Sequence, residues 1–97
     1  MEREIKTKIG GEDYNFDVFD TDPTTISQIL KNDISWAYLW EDNYVFKPKT
    51  DDIYDALVYI VNKDTKKVEW GYNTSLGFVA KENGISISPE ELRRALS

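Results

Sequence analysis

Apolar and polar residues alternate in paired runs along most of this chain. Residues 3–9 (Arg-Glu-Ile-Lys-Thr-Lys-Ile) read as a strand and Gly10-Gly11 as a turn. Residues 13–19 then alternate again, so that Tyr14, Phe16 and Val18 share one face. Two alternating runs around a Gly pair predict a β-hairpin. Residues 34–40 and 44–48 predict a second hairpin across Glu41-Asp42-Asn43. A three-residue loop there sets Trp40 against Tyr44 and Tyr38 against Phe46, and such aromatic cross-strand pairs each contribute about 0.2–1 kcal/mol. Pro48 ends that strand, since it cannot donate to a ladder. Residues 56–62 and 67–72 predict a third hairpin around Lys63-Asp64-Thr65-Lys66, with Tyr59 and Val61 matching Val68, Trp70 and Tyr72 on one face.

Helical signals lie between and after these pairs. Asp22 suits an N-cap and Pro23 the first helical position, where a missing N–H loses nothing. Ile26, Ile29 and Leu30 follow at helical spacing, and Asn32-Asp33 is a stop. Ile34, Ala37 and Tyr38 roughly continue that stripe, but the alternation of Trp36, Tyr38 and Trp40 with smaller residues favours a break. Thr50-Asp51-Asp52 reads as the cap of a short helical turn. Thr74 or Ser75 opens a helix that buries Leu76, Val79 and Ala80 and ends at Asn83-Gly84 as a C-cap. Ser88 caps a last helix, with Pro89 at its first position, Glu91 closing a capping box, and Leu92 beginning the apolar stripe. The whole predicts an α+β domain over residues 1–97. It is a mostly antiparallel sheet of about six strands built from three hairpins, with one early helix and two C-terminal helices packed on it.

Composition narrows the function classes. The 97 residues hold neither Cys nor His, which removes disulfides, thiol and imidazole catalysis and the commonest zinc ligands. The longest strongly apolar run, Ala56 to Val61, is far short of a membrane span, and no apolar leader follows Met1. A cytoplasmic chain with no membrane contact is expected. Its texture resembles that of short accessory proteins of bacteria and their phages. Thirteen aromatics make a core credible. Charge changes the picture most: the net charge is −6, with residues 1–55 at −7 and residues 56–97 at +1.

The candidate chemistry follows that asymmetry. Glu12, Asp13, Asp17, Asp20 and Asp22 fall in a stretch with no Lys or Arg between Lys8 and Lys31. They are the expected partner-binding residues, a negative surface offered to a protein with a basic surface; the bland alternative is a solvated strand face. Asp17, Asp20 and Asp22 lack the EF-hand pattern, so no metal is expected. Trp36, Tyr38 and Trp40, with Tyr44 and Phe46, read as core; a stacking platform for single strands would need more base than Lys47 and Lys49 supply. Ala80, Gly84 and Ile85 resemble the first half of a helix-turn-helix, but Glu90 occupies an aliphatic position and Leu92 arrives late. Arg93 and Arg94 would be the nucleic-acid contacts of that alternative, and nucleic acid is the disfavoured partner at this charge. Asp51, Asp52 and Asp55 would supply paired carboxylates for acid–base work, but acidic pairs this close in sequence are common in caps and turns. No phosphate loop is present. The expected function is therefore a small acidic binding protein without catalysis or cofactor, acting as an inhibitor, immunity or accessory protein. A nucleic-acid-binding regulator using residues 75–97 is the alternative.

Overall fold

The computed structural model describes residues 2–9, 11–22, 25–49, 57–72 and 74–97. The expected positions Gly10, Pro23, Thr50–Asp52, Asp55 and Ala56, and the side chains of Leu76 and Tyr72, lie outside what is described. In chain order the elements are β1 (Glu2–Ile9), β2 (Glu12–Asp20), α1 (Thr25–Ile29), β3 (Ile34–Trp40), β4 (Asn43–Pro48), β5 (Leu57–Asn62), β6 (Val68–Tyr72), α2 (Thr74–Asn83), β7 (Ile85–Ser86) and α3 (Pro89–Leu96). The fold is α+β. Among the described residues seven strands form one curled antiparallel sheet in the order β1-β2-β6-β5-β4-β3-β7.

The seventh strand corrects the expected six. Ile85 and Ser86 pair with Leu39 and Tyr38, adding an edge strand where a plain connection was expected. The helices also do not share one side. Val79 and Ala80 of α2 pack with Phe16, Val18, Trp40, Val45, Val58 and Ile60 on one face. Ile29 of α1 and Leu92 of α3 pack with Ala37, Phe46, Val61 and Val68 on the other. A sheet covered on both faces needs consecutive apolar residues in its central strands, which is what Val45-Phe46 and Ile60-Val61 supply.

The third hairpin forms in the expected register, with Val61 opposite Val68 and Tyr59 opposite Trp70. The oxygen Oδ1 of Asn62 organises its turn by accepting from the backbone N–H groups of Asp64 and Thr65, both at 2.9 Å. The second hairpin is corrected by one residue. Its loop is Glu41-Asp42 alone, and Trp40 pairs with Asn43, Tyr38 with Val45 and Trp36 with Lys47. Two-residue loops match the right-handed twist of the strands they join. Here the match requires a left-handed backbone at Glu41, φ 54°. Trp40 and Tyr44 consequently lie on opposite faces. A bulge between Ile34 and Trp36 turns Ile34 toward α3 and Trp36 toward α2.

The last helix starts as expected. Ser88 is extended (φ −76°, ψ 156°), and its hydroxyl accepts from the Glu91 N–H at 3.1 Å. Gly84 follows α2 for a reason other than a left-handed cap: a Cβ there would stand 2.6 Å from the Ala80 carbonyl oxygen and 2.7 Å from that of Leu39. The turn needs a bare Cα because β3 passes so close.

Candidate functional site

The β1–β2 hairpin carries the acid run. Pairing runs unbroken from Glu2 opposite Phe19 to Ile9 opposite Glu12, while the ladder between β2 and β6 covers only Phe19 and Asp20 among the described residues. Strand alternation then divides the acids. Asp13 and Asp17 project from the face that also carries Glu4, Lys6 and Lys8. Glu12 and Asp20 flank Tyr14, Phe16 and Val18 on the other face, and Asp22 lies exposed beyond the strand. The five acids do not make one surface.

Their partners differ too. The Lys8 amine stands 3.6 Å from Asp13, and Lys67 stands 3.2 Å from Asp20. The Tyr14 hydroxyl donates to Glu12 at 3.3 Å, and partial burial followed by that carboxylate raises its pKa. Asp17 sits directly opposite Glu4, two like charges on an exposed strand pair, and Glu4 itself has Lys6 at 3.5 Å. Among the described residues Asp17 has no ion-pair partner. Behind the hairpin, Arg3 reaches across β2 and donates through Nε and Nη2 to the two oxygens of Glu69 at 2.6 and 2.8 Å. Glu69 is buried, and its hydrogen bonds and charge raise the Arg3 pKa. Phe19 and Trp70 meet on the opposite face, their ring centroids 4.8 Å apart and their planes tilted by 31°. The hairpin is therefore bolted to β6 from both sides at its base.

The residues of the helix-turn-helix resemblance separate. Helices α2 and α3 lie on opposite faces of the sheet with β7 between them, so they do not pack on each other as that motif requires. Arg93 donates to the carbonyl oxygens of Leu30 and Asn32 at 3.1 and 3.2 Å, holding the turn that follows α1. Arg94 is exposed. The described residues contain no group of three or more potential metal ligands, and no described helix is long and apolar enough to cross a membrane.

One site was not legible beforehand. Trp36, Tyr38, Lys47 and Val58 floor a cleft of about 370 Å³ beneath Gly77, Phe78 and Lys81 of α2. The Trp36 and Tyr38 rings lie 5.5 Å apart at 46°. They are half-buried, so they belong partly to the core, as expected, and partly to this cleft. The Lys47 amine is buried and has no hydrogen-bond partner among the described residues. Its signal in the sequence was faint: a lysine two residues from Val45 on a strand whose both faces are covered.

No protein-family model, no curated protein and no solved structure matches this chain.

Proposed function

We propose that this chain is a small acidic binding protein without catalysis of its own. It docks through the exposed face of its β1–β2 hairpin on a protein with a basic surface, as an inhibitor, immunity or accessory protein. The observation that carries this reading is the pairing of Glu4 with Asp17. Like charges directly opposite each other weaken a strand pair. A cation brought by a partner relieves that repulsion, so the charge that burdens the free protein favours the complex. The base of the hairpin, held by Arg3–Glu69 and Phe19–Trp70, fixes the backbone that carries the two carboxylates, which lowers the ordering cost on binding to that of their side chains. The net charge of −6 adds long-range attraction for a basic surface.

The test is capture from a bacterial lysate with the wild-type chain and with the Glu4→Lys/Asp17→Lys double variant. A partner retained by the wild type at low salt, released at high salt and lost from the variant supports the reading. A partner held equally by both chains excludes this face as the docking site.

A further inference from the structure

We propose that the cleft between α2 and strands β3–β5 is a binding site for a small aromatic carboxylate, separate from the hairpin. Three properties of the cleft define that ligand. Its walls are apolar and partly aromatic: Trp36, Tyr38 and Val58 below and Phe78 at the mouth, where nearly half of the Phe78 surface (48%) is exposed. Among the described residues its charged lining is Lys47 and Lys81, with no acid. Its volume, about 370 Å³, lies at the small end of ligand pockets and suits one or two rings with a single charged group.

Lys47 decides the sign of the ligand. A buried ammonium without an acceptor is costly, and a methionine would fill the same space without that burden. The position lies directly opposite Trp36 in the β3–β4 ladder and beside Val58, so the amine stands at the edge of an aromatic floor. A carboxylate placed there supplies the missing acceptor, and its ring lies against Trp36 and Tyr38. Lys81, exposed on α2 at the rim, adds a second positive charge that guides the anion in. One buried amine matches a single carboxylate charge; phosphate is held more often by guanidinium forks or rows of backbone N–H groups, and among the described residues the lining has no arginine.

The test uses the full chain with 2-naphthoate as probe and 2-naphthalenemethanol as its neutral counterpart, followed by calorimetry and by amide and indole NMR shifts. Naphthoate is expected to bind and to move the signals of Trp36, Gly77 and Phe78, with the alcohol weaker by about tenfold or more, as loss of a charge-assisted hydrogen bond implies. Lys47→Met is expected to lose that discrimination while unfolding at the same or higher urea concentration. Lys81→Gln, at an exposed position, serves as a second variant and is expected to weaken naphthoate alone. Absence of naphthoate binding up to millimolar concentration, equal binding of the two probes, or shifts confined to residues away from the cleft would overturn the proposal.

Discussion

The indole of Trp36 lies against the bare backbone of Gly77: a Cβ on that glycine would stand 2.5 Å from Cζ2 and 2.8 Å from Cη2 of the ring. The closeness of α2 to the sheet, and the shape of the cleft beside it, depend on a missing methyl group. Gly77→Ala is expected to push the indole out of its seat. Overpacking of roughly 1–3 kcal/mol is offset in part by about 1 kcal/mol of helix propensity, leaving a net loss of about 1 kcal/mol. Urea unfolding followed by circular dichroism reads the stability. Unchanged stability with an unmoved Trp36 indole signal would show that the helix shifts instead.

The Arg3–Glu69 pair gives a second test. Glu69 is 3% exposed, whereas the Arg3 side chain is half exposed. Removing the arginine strands a buried carboxylate. Arg3→Met is expected to destabilise the fold by about 2 kcal/mol, less than the 3–5 kcal/mol of a fully buried pair because water reaches the arginine side. Arg3→Met/Glu69→Leu is expected to recover most of that loss, since no lone charge then remains inside. A double variant no more stable than the single one would mean that the pair carries the β1–β2–β6 junction by itself.

Gly84 separates two roles that glycine can play after a helix. A left-handed cap tolerates Asn better than Ala. Close approach to the Leu39 carbonyl excludes both. Gly84→Ala and Gly84→Asn are each expected to cost about 2 kcal/mol or more, because the obstacles are backbone atoms with no freedom to move aside. Asn clearly better tolerated than Ala, measured by thermal unfolding, would restore the capping explanation.

Asp17→Lys is expected to stabilise the isolated protein, by up to about 1 kcal/mol, because a like-charge cross-strand pair with Glu4 becomes an opposite-charge one. Asp13→Lys is expected to act in the other direction, since Asp13 already faces Lys8. The contrast between the two variants in urea midpoint distinguishes a specific cross-strand effect from a general benefit of lower net charge, which would raise both.

Sequence pattern revealed the elements better than their relations. The Ser88-Pro89-Glu91 start of α3 and the hairpin from Leu57 to Tyr72 were legible because local hydrogen bonds and strict alternation specify them. The register of β3 on β4 was not, because it turns on a left-handed Glu41, and glutamate gives no sign of that conformation. Strand β7 is two residues long, too short to show a period. The acids of β2 were legible as a run, but their division between two faces follows from pairing with β1, and the neutralising lysines come from β1 and from the β5–β6 turn. The cleft was least legible of all. It exists because the chain brings α2 back over β3, β4 and β5, and only that return encloses Lys47 with Trp36.

The central claim, docking through the Glu4–Asp17 face, is tested most directly by the association rate of the captured partner with the wild type and with Glu4→Lys/Asp17→Lys, measured at low and at high salt. Electrostatic steering speeds encounter by tenfold or more and fades as salt rises. The expected result is a rate about tenfold slower for the variant at low salt, with the two chains converging at high salt. Equal rates at low salt, with the partner still bound, would contradict the claim.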